Sequence, residues 1–322
     1  MHLNFHYSNQ KQIFNLHEGS VPFLSFRALD ETGMFTNGFS TRLGGVSEGC
    51  YASMNLTYAK TGEKPEHVLE NYRRISKAVG FDMERAVVSQ QTHTTNIRVV
   101  TEADYGKGVV RERGYTDVDG LVTNVPGLTL VTFYADCVPL YIADPVHRAV
   151  GLSHSGWRGT VHRMGLVTVQ KMQELYGSRP EDLICCIGPS ICGDCFEVGG
   201  EVAEEFLQEF GEEHAEALIR DATHMPLQRT EDTPVQEAEH TPVQEIRHMS
   251  ARNAISASKK YYVDLWRANE LVFLESGVRQ DHIFTTNICT RCNPELLWSH
   301  RIFGEKRGNL AAFLALRENT GN

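Results

Sequence analysis

The amino-acid sequence predicts an α+β (mixed α/β) fold, with a large central mixed β-sheet or sandwich flanked by helices. Two observations support this prediction. Apolar runs of strand length, rich in β-branched and aromatic residues, cluster in the centre of the chain and do not alternate strictly with helices. Segments with helical spacing of apolar residues lie around this cluster, and several of them stop at a glycine.

The first predicted elements lie before residue 100. Residues 71–78 have the pattern of a helix that leads to Gly80. Two short apolar stretches, 86–90 and 96–100, are typical of strands, and the polar segment QTHTT lies between them. This order predicts a functional loop between two strands.

The centre of the chain carries the clearest strand pattern. Strands are predicted at 120–124, 128–135, 138–144, 149–155 and 183–188. Helices are predicted at 160–176, 198–209 and 263–276.

Length and charge limit the possible functions. The chain has 322 residues, enough for one large domain or two ordinary ones, and we expect a single catalytic domain over 1–322. A formal net charge of -10 and a pI near 5.8 argue against broad binding to nucleic acid or to anionic membranes. Neither an apolar amino-terminal signal segment nor an apolar run of membrane-spanning length is present. The sequence therefore predicts a soluble, cytoplasmic protein.

A polar segment at about 212–258 interrupts the pattern. It contains the duplication TPVQEAEH (233–240) and TPVQEIRH (241–248). Two units are too few for a solenoid, and the low apolar content predicts a mobile surface insertion. The alternative is a loose metal-binding tract of His214, His224, His240 and His248.

Three residues with metal-binding side chains lie where an apolar strand meets a polar loop: His93, Cys137 and His154. Two imidazoles and a thiolate suit zinc and leave a fourth position for water or substrate. They are 44 and 17 residues apart, however, and such spacing alone favours three separate structural residues.

Two further features allow a binding role. Arg42 beside a glycine pair and Arg158 after His154 are candidate anion clamps, although plain turns and surface arginines explain them as well. Two CxxC pairs, Cys192/Cys195 and Cys289/Cys292, are separated by 93 residues. That separation is far longer than in a zinc ribbon, so reduced, incidental thiols are favoured over a second metal site.

Several longer motifs resemble one family, the bacterial YfiH-type proteins. They are FSTRLGGVSEG (39–49), MNL (54–56), SQQTH (89–93), TDVDGLVT (116–123), ADCVPLYIAD (135–144), HSGWRGT (154–160), IGPSICGDCFEVG (187–199), YYVDLWRAN (261–269), CT (289–290) and SHR (299–301). The resemblance covers about residues 20–318 without the insertion. Members have been called laccase-type polyphenol oxidases, peptidoglycan editing factors and purine nucleoside phosphorylases.

The resemblance implies roles for particular residues. The family's metal ligands fall on His93, Cys137 and His154, with zinc as the expected metal and copper possible. Arg42 and Asn55 match substrate-binding positions, whereas Asp136 and Arg158 flank ligands and join Cys137 as catalytic candidates. Members often read SHRRDG near the carboxyl terminus, but this chain has Ser299-His-Arg-Ile-Phe-Gly304, so no catalytic role is assigned there.

The resemblance also implies an activity. The expected enzyme cleaves adenosine, inosine, guanosine and S-methyl-5'-thioadenosine with phosphate, and deaminates adenosine by hydrolysis. Its partners would then be purine nucleosides and phosphate, not nucleic acid or membrane. One alternative is a Cys-His hydrolase of peptidoglycan-related amides with Cys137 as nucleophile. Others are a copper-dependent polyphenol oxidase, for which the sequence lacks the His clusters of multicopper enzymes, and a cell-wall or division protein that acts by binding.

Overall fold

The computed structural model describes residues 3–58, 62–222, 255–256 and 258–318. The duplication at 233–248 and His224, His240 and His248 lie outside the described residues. The chain forms two compact units, one of residues 1–195 with 265–322 and the other of residues 196–264. The predicted mixed α/β class is confirmed, with two six-stranded sheets, one three-stranded sheet and helices in the described residues.

The first sheet of the larger unit has the order β1-β2-β3-β15-β7-β4. Its strands are β1 (Phe14–His17), β2 (Phe23–Phe26), β3 (Phe35–Ser40), β4 (Ala86–Val88), β7 (Thr129–Tyr134) and β15 (Leu310–Leu316). β15 lies in the middle, antiparallel to both β3 and β7, in the registers Ala312↔Phe39 and Ala312↔Thr132. The two ends of the chain are thereby joined in one sheet.

The second sheet has the order β14-β10-β8-β9-β6-β5. Its strands are β5 (Ile97–Val99), β6 (Gly120–Thr123), β8 (Val138–Asp144), β9 (Ala149–Ser155), β10 (Ile184–Ile187) and β14 (Ile283–Thr285). β8 and β9 form an antiparallel hairpin that is buried along its whole length. Such strands read as continuous apolar runs, which is why the sequence located both of them within their observed bounds.

One apolar core includes side chains from both sheets. Phe26 of β2 packs edge-on against Tyr141 of β8, with ring centroids 5.1 Å apart. The Tyr141 hydroxyl donates to the carbonyl of Gly38 in β3 at 2.8 Å, so this buried polar group is satisfied. The sheets therefore pack face to face, as in a sandwich.

The larger unit also contains the helices α1 (Arg27–Asp30), α2 (Pro65–Val79), α3 (Trp157–Val161), α4 (Met164–Tyr176), α7 (Leu265–Glu275) and α8 (His300–Phe303). The helix predicted at 160–176 is divided in two, because Arg163 has a left-handed backbone with φ 60°. α4 ends at Gly177, as predicted, and this glycine also has a left-handed conformation.

The smaller unit contains β11 (Glu197–Gly199), α5 (Gly200–Phe210), α6 (Glu212–Leu218), β12 (Ile219–Asp221) and β13 (Lys260–Val263). Its strands pair in the order β11-β13-β12. Residues 212–221, the beginning of the segment predicted to be mobile, thus form a helix and a strand. The predicted single catalytic domain with a mobile insertion stays a prediction. Within the described residues, no helix combines the length and apolar character needed to cross a membrane.

Candidate metal centre and active site

His93 lies on the loop between β4 and β5, the loop that the sequence predicted to be functional. Its backbone is left-handed, with φ 66°, a conformation that a non-glycine residue rarely adopts without support. The support comes from Asp119, whose carboxylate accepts the backbone N–H groups of Thr92 at 2.8 Å, His93 at 3.1 Å and Thr94 at 3.2 Å. Asp119 therefore fixes the position from which the His93 ring projects.

The same Asp119 holds His154. The antiparallel register Gly120↔Ser153 between β6 and β9 brings Asp119 beside His154, whose backbone N–H donates to the Asp119 carbonyl at 2.8 Å. The Asp119 carboxylate also contacts Nδ1 of the His154 ring at 2.7 Å. Both residues are buried. Since Nδ1 is occupied, Nε2 is the ring nitrogen that remains for a ligand.

Cys137 follows β7 in the turn that leads into β8. The preceding residue, Asp136, is left-handed with φ 85°, and contacts from later in the chain hold it. Its carboxylate accepts the Thr290 hydroxyl at 2.6 Å and the Arg301 backbone N–H at 2.7 Å, and its carbonyl accepts the Ile191 N–H at 3.0 Å. The predicted catalytic residue Asp136 thus positions the turn that carries Cys137.

The structure brings the three predicted ligands together. One ligand atom from each of His93, Cys137 and His154 lies within 4.8 Å of the others, and His93 Nε2 is 3.9 Å from Cys137 Sγ. Zinc bonds of 2.0–2.3 Å in a tetrahedron would place ligand atoms about 3.3–3.8 Å apart. A small contraction closes this difference, so the donor set and the carboxylate-backed histidine fit zinc.

Gly156 leaves the space that this arrangement needs. A Cβ atom there would lie 3.0 Å from Cys137 Sγ and 3.0 Å from Cδ2 of His93. The same test at Gly159 gives only ordinary contacts of 3.5 Å or more. The room between Cys137 and His93 therefore depends on the first glycine of HSGWRG.

Cys137 and His154 shift each other's pKa. Burial would raise the pKa of the Cys137 thiol, but the charge of His154 and hydrogen bonds from both histidines outweigh it and lower that pKa to about 6. Burial would lower the pKa of His154, but Cys137 and Asp119 raise it to about 9. Near neutral pH, Cys137 is consequently a thiolate, the form that binds metals and attacks electrophiles.

The three residues open into a cavity of about 320 Å³, at the lower end of the range for small-molecule sites. Its walls are formed by Thr57, Tyr58, Val88, Ser89, Gln90, Gln91, His93, Gly108, Arg113, Phe133, Tyr134, Ala135, Cys137, His154, Arg307 and Asn309. Two of these residues, Arg113 and Arg307, carry guanidinium groups. The cavity therefore combines a floor of three possible metal ligands, aromatic walls and two cations.

The predicted substrate residues are not part of the cavity wall. The guanidinium of Arg42 packs 3.9 Å from the centre of the Trp298 ring and donates to the carbonyl of Pro294 at 2.7 Å. Asn55 is fully buried, donates to the Thr57 carbonyl at 3.0 Å and accepts the Asn309 N–H at 3.1 Å. Neither residue lines the cavity, although Asn55 holds two residues that do. Their direct contact with substrate stays a prediction.

Arg158 also lies apart from the cavity walls. Its guanidinium packs on the neighbouring Trp157 ring, 4.4 Å from the ring centre. The catalytic role predicted for Arg158 stays a prediction.

Three residues of the candidate site were missed by the sequence analysis: Asp119, Arg113 and Arg307. Asp119 lies in the motif TDVDGLVT, and an aspartate immediately before a predicted strand was an available signal. No sequence pattern indicated Arg113 and Arg307, because they line the same cavity only once β15 is paired in the first sheet.

A multicopper centre needs several groups of ligands. Among the described residues, only two groups have at least three His, Cys, Asp or Glu ligand atoms in mutual reach: His93/Cys137/His154 and a cluster of four cysteines. The second group contains no histidine. These groups do not fit the histidine-rich set of a multicopper oxidase.

A family model, curated proteins and a solved structure are all similar to this chain over most of its length. The model of the family described as "Multi-copper polyphenol oxidoreductase laccase" matches residues 36–239 and 230–317. Purine nucleoside phosphorylase YlmD of Bacillus subtilis is 31% identical over 283 residues, covering 87% of this chain and 88% of the relative. Adenosine deaminase RL5, from an unknown prokaryotic organism, is 30% identical over 272 residues, covering 84% and 90%. The crystal structure of YlmD from Geobacillus stearothermophilus superposes with a TM-score of 0.74 at 30% identity, covering 95% of this chain and 99% of that one.

Proposed function

This chain belongs to the family described as multi-copper polyphenol oxidoreductase laccase, and from its relatives and its donor set we propose that it is a zinc-dependent purine nucleoside enzyme. The proposed reactions are phosphorolysis of adenosine, inosine, guanosine and S-methyl-5'-thioadenosine, and hydrolytic deamination of adenosine. The names of two relatives, a purine nucleoside phosphorylase and an adenosine deaminase, support both reactions. The observation that carries the proposal is the single cavity that contains both the His93/Cys137/His154 floor and two arginines.

Arg307 is the proposed phosphate-binding residue. Burial lowers the pKa of its guanidinium, and the nearby charges of Asp136, Glu305 and Cys137 oppose that shift. An arginine remains a cation at neutral pH even so, and its planar fork suits phosphate oxygens. Arg113, which donates to the Ser89 carbonyl at 2.6 Å, is a second cation on the same cavity wall. A phosphate bound here would already be positioned beside a bound nucleoside, so the two reactants would not have to meet in solution.

The remaining walls suit a nucleoside. Phe133 and Tyr58 offer ring surface against which a purine can stack. Zinc on His93, Cys137 and His154 would act as a Lewis acid and lower the pKa of water for deamination. Asp119 would keep His154 in the tautomer that presents Nε2, so the chain itself supplies the orientation of the site.

The test is an activity assay of the zinc-loaded protein with each nucleoside, with and without phosphate. We expect phosphate-dependent release of free base, and conversion of adenosine to inosine without phosphate. Absence of both reactions in a folded, zinc-loaded protein would refute the proposal.

A matched pair of variants tests the phosphate role. Losing a charge-assisted hydrogen bond costs about 1.5–3 kcal/mol, so Arg307→Gln should raise the KM for phosphate by about 10- to 100-fold. Deamination should be much less affected, because it uses no phosphate. Arg279→Gln is the control, since this exposed arginine pairs with Asp281 and is not a cavity residue. An unchanged phosphate KM in Arg307→Gln would remove Arg307 from the proposal.

One observation favours a second candidate, a Cys-His hydrolase. The Cys137 thiolate, its partner His154 and the carboxylate of Asp119 form a nucleophile, base and orienting group. Activity of this kind would be highest in metal-free protein. The zinc enzyme would instead lose deamination when zinc is removed, so assays of metal-free protein distinguish the two candidates, whereas alkylation of Cys137 would inactivate both.

A further inference from the structure

Four cysteines outside the proposed active site form a second cluster, which we call the thiol cluster: Cys192, Cys195, Cys289 and Cys292. Cys192 and Cys195 lie on the loop after β10, and Cys289 and Cys292 lie on the loop after β14. β10 and β14 are neighbouring parallel strands, and the pairing continues past their ends in the bridge Ser190↔Cys289. The two CxxC pairs therefore meet at one edge of the sheet, despite the 93 residues between them.

The geometry of the thiol cluster matches one metal ion. All four sulfur atoms lie within 4.8 Å of one another, and Cys195 Sγ is 3.4 Å from Cys292 Sγ. Four zinc–sulfur bonds of about 2.3 Å in a tetrahedron give sulfur separations of about 3.8 Å. All four cysteines are free thiols in this structure.

Two N–H donors point at sulfur atoms of the thiol cluster. The backbone N–H of Cys192 donates to Cys289 Sγ at 3.3 Å, and Arg291 donates to Cys195 Sγ at 3.4 Å. A divalent metal with four thiolates has a net charge of -2, and the guanidinium of Arg291 offsets part of it. Cys195 and Cys289 are buried whereas Cys292 is exposed, so an ion can enter from solvent and then be enclosed.

We propose that the thiol cluster is a structural zinc site with four cysteine ligands, separate from the His93/Cys137/His154 centre. The zinc would join the loops after β10 and β14. Those loops also carry Ile191 and Thr290, which hydrogen-bond to Asp136 beside Cys137. The structural site would thereby stabilise the turn that presents the active-site thiolate, while its existence does not depend on the proposed reactions.

Metal counting tests the proposal. We expect reduced wild-type protein to bind two zinc ions per chain, and Cys192→Ser and Cys292→Ser to bind one each. Cys137→Ser should also retain one, held by the thiol cluster, even if the protein has no nucleoside activity. Cys50→Ser is the control, because Cys50 is an exposed thiol that belongs to neither group, and it should keep both ions. Two ions in Cys192→Ser and Cys292→Ser would overturn the proposal.

A second measurement needs no variant of the thiol cluster, in case such variants fold poorly. Cys137→Ser reconstituted with cobalt(II) should show the strong sulfur-to-cobalt charge-transfer absorption of a tetrathiolate site, and p-mercuribenzoate should release the ion. Absence of that absorption would overturn the proposal. Two other results would also overturn the proposal. One is a mass spectrum of wild-type protein, isolated without reductant, that shows disulfides in the thiol cluster. The other is a metal analysis that finds one iron per chain and no zinc in the thiol cluster.

Discussion

Replacing Asp119 by asparagine perturbs both histidines of the active site while leaving all three proposed metal ligands in place. The carboxylate accepts four N–H groups, from the backbones of Thr92, His93 and Thr94 and from the His154 ring, at 2.7–3.2 Å. An asparagine has one acceptor oxygen, so its NH2 group must face at least one of these donors whichever way the amide is turned.

The expected cost follows from this arrangement. A buried N–H left without an acceptor costs about 1–3 kcal/mol, and breaking a buried charged pair costs about 3–5 kcal/mol. We therefore expect Asp119→Asn to lose about 3–5 kcal/mol of unfolding free energy. Metal affinity should fall by about 10- to 100-fold, the usual effect of removing a carboxylate behind a metal-bound histidine.

The chain contains a matched control. Asp144 is also fully buried, accepts the N–H groups of Val146 at 2.8 Å and His147 at 2.9 Å, and contacts the His147 ring nitrogen at 3.0 Å. It lies at the far end of β8, away from Cys137. Asp144→Asn should therefore be destabilised in a similar way, yet keep the wild-type zinc affinity.

The assay is a competition titration of zinc against a chelator, with urea unfolding of each metal-free variant measured in parallel. To isolate the active-site ion, the titration is done in the Cys192→Ser background. If Asp119→Asn in this background binds zinc within about threefold of Cys192→Ser alone, or if Asp144→Asn loses as much affinity, the assignment of Asp119 is wrong.

Three further predictions address the site and the fold. Cys137→Ser should lose the active-site zinc and deamination but keep its circular dichroism spectrum; stoichiometric zinc at that site would contradict the ligand assignment. Gly156→Ala should weaken zinc binding, because its Cβ would lie 3.0 Å from Cys137 Sγ and from the His93 ring, whereas Gly159→Ala should bind zinc normally. Burial would raise the pKa of Asp104, but a neighbouring lysine and arginine lower it to about 2. The unfolding free energy of wild type, measured with urea, should thus exceed that of Asp104→Asn by about 2 kcal/mol above pH 4. This difference should disappear as the pH falls through 2, and a difference that does not depend on pH would contradict the prediction.

Much of the central sheet could be predicted from the sequence, since strands buried on both faces read as continuous apolar runs. The predicted bounds 138–144 and 149–155 coincide with β8 and β9. Helix boundaries were less accurate. The segment 198–209, predicted as a helix, starts within the strand β11, and the helix predicted at 263–276 begins at Leu265. Apolar spacing does not show where a short strand ends and the following helix begins.

The site was predictable only in part. The resemblance in motifs indicated His93, Cys137 and His154, which spacing alone could not connect. Strand pairing decides the other contacts: β6 beside β9 joins Asp119 to His154, and β10 beside β14 assembles the thiol cluster. The sequence analysis favoured incidental thiols because the two CxxC pairs are far apart in sequence. Parallel pairing of two distant strands places the pairs side by side, so their separation in sequence does not argue against a shared site.

The central position of β15 affects the order in which the protein can be made. Residues 310–316 are synthesised after every other strand of the two sheets, so β3 and β7 have no shared neighbour until the residues after β14 have been made. The β8–β9 hairpin and β6 lie within 120–155 and can pair much earlier, bringing Cys137, His154 and Asp119 together. We expect the nascent chain to have unpaired edges of β3 and β7 during this interval, so truncation before residue 310 would leave both edges unpaired and the protein prone to aggregation.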